Sequence, residues 1–464
     1  MIDQSTICAI TTPAGNGAIA VIRLSGAEAF SITEKVFQSL KKKSLSEQKA
    51  YTLHFGNLVD GEEIVDEVVV ALFKNPHSFT GEDVIEISCH GSLYIQQRIL
   101  QLLIQNGARM AQPGEFTQRA FLNGKMDLSQ AEAVADLIAS HSASSHKVAL
   151  NQMRGGFSSE LIKLRTELLN FVSMIELELD FGEEEVEFAD RSKLLELAGN
   201  IEGMIGKLAD SFQLGNVIKN GIPTTIVGET NVGKSTLLNA LLKEDKAIVS
   251  DIHGTTRDVI EDVINIDGLT FRFIDTAGIR ETHDTIENLG IERTFKKMHQ
   301  ASIVLLLLDL TKANEDNLDT LENIRTKMEG QQLIIVCNKA DKAKREDINH
   351  LIHEITLSEH EDLVLISAKN GQNIDQLSSL LVEAVNISKM NENDVIVTNA
   401  RHYEALVHAR EAINRTIGGL NTGISGDFIA QDIRECLHYL GEITGEISTD
   451  EVLGNIFKNF CIGK

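Results

Sequence analysis

Residues 228–235 read GETNVGKS, with the apolar run TTIVG before them and TLLNALL after. A turn of the form G-x-x-x-x-G-K-[ST] between a strand and a helix curls the backbone until its N–H groups converge, a cradle suited to a phosphate chain. Gly228 and Gly233 permit the curl, Lys234 brings positive charge to the β- and γ-phosphates, and Ser235 offers a hydroxyl to Mg2+. A cradle of this kind belongs at the carboxyl end of a sheet strand, which commits the surrounding chain to an α/β domain. Residues 217–385 agree: strand-like TTIVG, LTFRFID, SIVLLLLDL, LIIVCNKAD and LVLISAK alternate with helical stretches, the pattern of a mainly parallel sheet covered by helices.

Two further segments choose the base. In NKAD (338–341), Asp341 can accept from guanine N1–H and the exocyclic amine, while Asn338 and Lys339 brace the loop. Adenine lacks that pair of donors and would leave the carboxylate unsatisfied, a penalty of roughly 1–3 kcal/mol or more. SAK (Ser367, Ala368, Lys369) follows another strand and can present the Ala368 N–H to guanine O6. GTP is the nucleotide these elements imply. Between the phosphate loop and Asp275, GTTRD (254–258) lies where a switch segment belongs: Thr256 is the candidate Mg2+ ligand, with Thr255 the alternative. Asp275 in DTAG (Asp275, Thr276, Ala277, Gly278) would hold a metal-bound water.

Ile279 then stands where Ras-like GTPases carry a water-orienting glutamine. Its side chain neither accepts nor donates a hydrogen bond, so another group must serve. Glu281, Asp284, Glu287 and Glu292 are the nearby carboxylates. Added positive charge can come from Arg257, from Arg280, or from a cation held by the Asn231 amide oxygen.

A length of 464 residues allows about two to four domains. The net charge of −25 argues against anionic membranes and requires any RNA partner to meet a local basic patch or a second protein. The five cysteines (Cys8, Cys89, Cys337, Cys436, Cys461) show neither CxxC pairs nor metal spacing and read as reduced thiols. No secretion or transit signal is evident at the start, and IVLLLL (303–308) is too short to span a bilayer, so a cytoplasmic location without membrane contact is expected. Residues 1–120 alternate short β-like runs with turns, as in TICAITTPAGNGAIAVIRLSG and DVIEISCHG, an α+β pattern. Residues 121–216 and 386–464 have helical periodicity, the first with LSQAEAVADLIASHSASSHKVALNQM, and GEEEVEFAD (182–190) reads as a solvated connection. One helical domain interrupted by the inserted α/β domain is the economical arrangement; two separate helical domains are the alternative.

The order TTPAGNGAIAVIRLSG, SFTGEDVIEISCHG, PGEFTQRAFLNGKMDLSQAEAVADLI, GETNVGKS, GTTRD, DTAGIRE and terminal CIGK resembles the tRNA-modification GTPase family MnmE (TrmE) from the first strand to the last residue. That resemblance implies a homodimer whose GTPase domains meet across their switch faces. It implies K+ held by Asn231 and by a loop matching Ser250, Ile252 and Thr255, where Asp251, His253 and Gly254 also border the nucleotide, as do Val232 and Thr236. Glu287 matches the water-orienting glutamate. The N-terminal domain then resembles folate-dependent one-carbon enzymes, with Arg23, Glu82, Lys125 and Lys464 matching a 5-formyltetrahydrofolate site and the domain serving dimerisation. Arg and Lys suit folate carboxylates, and Glu suits pterin N–H donors. The implied function is modification of the wobble uridine of tRNA at C5 (aminomethyl or carboxymethylaminomethyl). It is carried out in a heterotetramer with FAD-dependent MnmG (GidA), which would hold most of the tRNA.

Cys461 is either a nucleophile at the modification site or a packed thiol near the chain end. Cys89-His90 is discounted as a dyad because neighbours on a strand point to opposite faces. His141 and His146, five apart on an expected helix, make a poor metal pair and read as surface residues. Two rival functions are a GTP-switched assembly factor and a stand-alone folate-dependent transferase regulated by GTP.

Overall fold

The computed structural model describes residues 5–40, 43–180, 191–244, 262–274, 298–385, 395–458 and 460–463. They group into two compact units, one of residues 1–135, 152–201 and 408–464, the other of residues 136–151 and 202–407.

The first unit holds a seven-stranded sheet: β1 (Ile7–Ile10), β2 (Ile19–Ser25), β3 (Phe37–Ser39), β4 (Thr52–Asp60), β5 (Glu63–Phe73), β6 (Val84–His90) and β7 (Arg109–Met110), in the order β3-β4-β5-β6-β2-β1-β7. All pairs are antiparallel except β1 with β7. Alternation explains the burial: Ile85, Ile87 and Cys89 of β6 enter the core, while Glu86 faces outward opposite Arg23 of β2. The helices Ala29–Val36 and Leu93–Gln105 cover the apolar face with Ile32, Val36, Ile99, Leu102 and Leu103. In the same unit, the helices Gly156–Asp180 and Gly426–Thr444 pack side by side, joined where Arg165 NH1 donates to the Leu437 carbonyl at 2.8 Å.

The long helical run beginning at Leu128 is broken. It forms Leu128–Ala139 and Ala143–Met153, because Ser142 Oγ accepts the Ser145 N–H at 3.1 Å while Ser145 Oγ accepts the Ser142 N–H at 3.1 Å. Serine side chains offering backbone groups these local bonds compete with helix continuation. His141 therefore stands in the break and only His146 on a helix; both are exposed.

The second unit is built on a six-stranded sheet: β8 (Ile222–Val227), β9 (Asp262–Ile266), β10 (Leu269–Phe273), β11 (Ile303–Asp309), β12 (Gln332–Asn338) and β13 (Glu361–Leu365), in the order β13-β12-β11-β8-β10-β9. Only β9 runs antiparallel to its neighbour. Central β11 is buried at every position, and its residues divide between two cores: Ile303, Leu305 and Leu307 on one face, Val304, Leu306 and Leu308 on the other. An unbroken apolar run is what a strand covered on both sides requires. Leu237, Leu238 and Leu241 of helix Lys234–Glu244 and Leu377 and Leu381 of Ile374–Ala384 fill the first core. Leu321, Ile324 and Leu351 of Asn314–Arg325 and Arg345–Glu354 fill the second. Among the described residues, no helix is long and apolar enough to cross a membrane.

Candidate functional site

The parallel strands deliver their chemistry at their carboxyl ends, where ligands bind in open α/β sheets. After β8 the chain turns through 228–233 into helix Lys234–Glu244. Gly228 (φ +151°) and Gly233 (φ +109°) have positive φ, and a Cβ on Gly233 would lie 2.4 Å from Asn338 Nδ2, so no larger residue fits. Asn231 is also left-handed, at φ +62°, and its side chain is exposed. Lys234 Nζ donates to the carbonyls of Gly228 at 2.7 Å and Glu229 at 2.8 Å, which aligns it along the loop. Burial lowers its pKa, with the nearby Glu229 carboxylate opposing that shift. Ser235 occupies the first turn of the helix, half-buried beside Lys234. Among described residues, the position suits a hydroxyl ligand for a divalent ion that bridges β- and γ-phosphates.

Asn338, 3 % exposed at the end of β12, ties three loops together. Its Nδ2 donates to the Val232 carbonyl at 2.8 Å, and its Oδ1 accepts from the backbone N–H of Lys339 at 2.8 Å and of Ala368 at 3.0 Å. Asp341 is exposed, and its Oδ1 accepts from Ser367 Oγ at 2.7 Å. That hydrogen bond is the main reason its carboxyl lies below the usual value, so it is poised as an ionised acceptor. Lys369 and Thr236 are exposed alongside. The phosphate loop and both base loops thus form one hydrogen-bonded assembly within this unit.

Residues 128–461 match the MnmE helical domain family, and residues 6–125 match the GTP-binding protein TrmE N-terminus. The tRNA modification GTPase MnmE of Bacteroides thetaiotaomicron is 61 % identical over 466 residues, covering 100 % of both chains. Those of Parabacteroides distasonis (60 %, 99 % of this chain and 100 % of that one) and Flavobacterium johnsoniae (56 %, 100 % of both) are similar over the same span. The chain belongs to the MnmE family of tRNA modification GTPases. Its architecture is that of an α+β N-terminal domain, helical segments, and a Ras-like P-loop α/β domain between them.

Several MnmE-type candidates lie outside the described residues: Ser250, Asp251, Ile252, His253, Gly254, Thr255, Thr256, Asp275, Thr276, Ala277, Gly278 and Glu287. So do the alternatives Arg257, Ile279, Arg280, Glu281, Asp284 and Glu292, the acidic tract 182–190, and Lys464.

In the N-terminal domain, Arg23, Glu82 and Lys125 gather around residues 76–82. Arg23 lies 5.6 Å from the ring centroid of Phe79 and ion-pairs with Glu86 at 2.7 Å. Glu82 accepts from Ser25 Oγ at 2.6 Å, and the Lys125 stem would meet a Cβ on Gly81 at 3.3 Å while its Nζ donates to the Pro76 carbonyl at 2.9 Å. Two cations and a carboxylate around one loop fit a ligand bearing both carboxylates and N–H donors. Sequence reasoning missed what holds Glu82: Arg119, 4 % exposed, donates NH1 to both Glu82 oxygens at 3.1 Å and NH2 to Glu115 at 3.0 Å. An arginine in PGEFTQRAF on the buried face of helix Glu115–Leu122 was the available signal.

Of the two readings left open for Cys461, the structure does not match the packed thiol. It is exposed, whereas Cys8, Cys89, Cys337 and Cys436 are buried. Burial raises Cys8 and Cys89 to about 11, Asp66 adding to the effect at Cys89, and raises Cys337 and Cys436 to about 12, with Glu435 contributing at Cys436. The backbone at Cys461 is anchored. Its carbonyl accepts the Gly114 N–H at 3.3 Å, and a Cβ on Gly463 would sit 2.4 Å from the Ile10 carbonyl. Cys89 points inward and His90 outward, so the two form no dyad.

Proposed function

We propose that this chain hydrolyses GTP to pace C5 modification of the wobble uridine of tRNA, installing an aminomethyl or carboxymethylaminomethyl group. The observation that carries the reading is Asn338 joining phosphate and guanine loops, in a chain whose whole length matches MnmE relatives. The working form is a homodimer joined with a separate FAD-dependent MnmG (GidA) protein, and most of the tRNA contact falls to that partner because this chain carries a net charge of −25. A folate, 5-formyltetrahydrofolate or a relative, supplies carbon at the site of Arg23, Glu82, Lys125 and Lys464. The clustering of the first three and their charge pattern support this.

In the GTPase domain, Ser235 and Thr256 would hold Mg2+. Asn231, Ser250, Ile252 and Thr255 would hold K+, which when bound supplies the positive charge that other GTPases take from an arginine. The left-handed, exposed Asn231 offers a neutral amide oxygen, the donor type that suits K+. Lys234 neutralises phosphate charge, Asp341 selects guanine, and the Glu287 carboxylate orients the attacking water that Ile279 cannot. GTP and its products then bias two conformations by binding them unequally.

Nucleoside analysis of tRNA from cells lacking the protein tests this directly. Wobble-uridine modification is expected to disappear, to return with wild type, and to stay absent with Glu287→Ala. That variant should bind GDP normally but hydrolyse GTP about 10²–10³-fold more slowly. Unchanged tRNA in the deletion strain would favour an assembly factor. Hydrolysis equally fast in K+ and Na+ would remove the cation assignment.

A further inference from the structure

Asp309 is the charged residue beside the guanine loops that no motif names. β11 is apolar from Ile303 to Leu308 and then ends on a carboxylate only 8 % exposed. A carboxylate so buried is costly unless charge and hydrogen bonds meet it. Thr311 donates its backbone N–H at 3.0 Å and its hydroxyl at 2.7 Å to Oδ1, and Lys339 Nζ donates to Oδ2 at 2.6 Å. Burial pushes the Asp309 carboxyl up, but the bonds from Lys339 and Thr311 outweigh it and leave it below its ordinary value. The backbone is fixed as well, since Asn317 Nδ2 donates to the Asp309 carbonyl at 3.0 Å and Leu310 N–H to the Asn338 carbonyl at 3.1 Å.

The partner of that carboxylate reaches further. Lys339, left-handed at φ +66°, donates from the same ammonium to the Asn231 carbonyl at 3.0 Å. One cation therefore bridges a buried anion on β11 and a carbonyl of the phosphate loop. A lysine stem has four rotatable bonds, so without an anion to fix its head the bridge to Asn231 loses its preferred geometry.

We propose that Asp309 is a positioning residue for guanine-nucleotide binding: through Lys339 it holds the base loop and the phosphate loop in register at Asn231. It touches no substrate atom, and its effect falls on affinity rather than on the chemical step.

The test uses the full-length chain, fluorescent GDP titration and steady-state GTP hydrolysis. Asp309→Asn keeps an acceptor for Thr311 but turns an amide N–H toward Lys339. It is expected to weaken GDP binding about ten- to a hundredfold, the scale of a hydrogen bond to a charged group. KM should rise by the same factor while kcat stays within about twofold. Lys339→Met should weaken binding at least as much, and Asp309→Asn combined with Lys339→Met should be no weaker than Lys339→Met alone. Unchanged GDP affinity in Asp309→Asn would overturn the proposal, as would losses that multiply fully in the double variant. Thr311→Val, which removes only the hydroxyl donor to Oδ1, should lower the melting temperature and leave GDP affinity within about twofold. If it instead matches Asp309→Asn, the carboxylate is merely a strand-end brace. Should Asp309→Asn fail to fold, wild-type affinity in Lys339→Met decides against the proposal.

Discussion

Each of the two units keeps a buried carboxylate, Glu115 on a helix and Asp309 at the end of β11, and the two are neutralised by different chemistry. In the first unit Glu115, 4 % exposed, accepts from Arg109 at 2.6 and 2.8 Å, from Arg119 at 3.0 Å, and from the Gln112 N–H at 2.9 Å. In the second, Asp309 accepts from one ammonium and one threonine. Arginine forks fill a carboxylate's acceptor sites in fixed planes, so Arg109, Glu115, Arg119 and Glu82 lock one another. Lysine is a point charge with three donors, and Lys339 spends one on Asp309 and one on the phosphate loop. The arginine network ties a helix to the N-terminal sheet and holds Glu82 in place; the lysine network joins two nucleotide loops.

The contrast breaks most decisively at Arg119. Arg119→Met leaves Glu82 and Glu115 short of a buried partner and should cost about 3–5 kcal/mol. The loss should be read as reduced hydrogen-exchange protection of peptides spanning β1 and β6, with GDP affinity unchanged. A comparable fall in GDP affinity would erase the distinction between the networks. Asn338→Ala should behave in the opposite sense, losing about 1–3 kcal/mol of GDP binding while β1 and β6 stay protected. Wild-type binding in that variant would mean the three loops are held by other contacts.

A smaller effect should appear with pH. At Glu115 burial acts upward, but the Arg109, Gln112 and Arg119 bonds outweigh it and depress the carboxyl, and Asp309 is depressed likewise. A depressed carboxyl stabilises the fold fully above its unfolded value, near 3.9–4.3, and loses that contribution as pH falls through the lower folded value. The melting temperature should therefore be insensitive to these groups between about pH 8 and 5 and fall below about pH 4. A fall centred near pH 6.5 would assign the dependence to histidine instead.

Legibility divides along the same line. The apolar run 303–308 announced a strand covered on both faces, and the alternation in DVIEISCHG announced one exposed face; β11 and β6 have those properties. The nucleotide loops were readable because each is a short contiguous string. The arginine network was not, since Ser25, Thr80, Glu82, Arg109, Glu115 and Arg119 fall in separate segments of the chain and meet only when β2, β7 and helix Glu115–Leu122 are assembled. The helix break at residues 140–142 was hidden by apolar periodicity continuing on both sides of a serine-rich stretch. Cys461 was open to reading as a packed thiol because position in the chain says nothing of side-chain exposure; its carbonyl is bound and the residue is exposed.

By itself the sequence determined the class of fold and the nucleotide chemistry, because the curl of a glycine-rich loop and the two-faced burial of a strand are set by residues adjacent in the chain. Tertiary structure alone decided which charges neutralise which. Arg119 meets Glu82 across 37 positions and Lys339 meets Asp309 across 30. A buried ion is stable only within a few ångströms of its partner, and that distance is fixed by strand order and helix packing rather than by any local pattern.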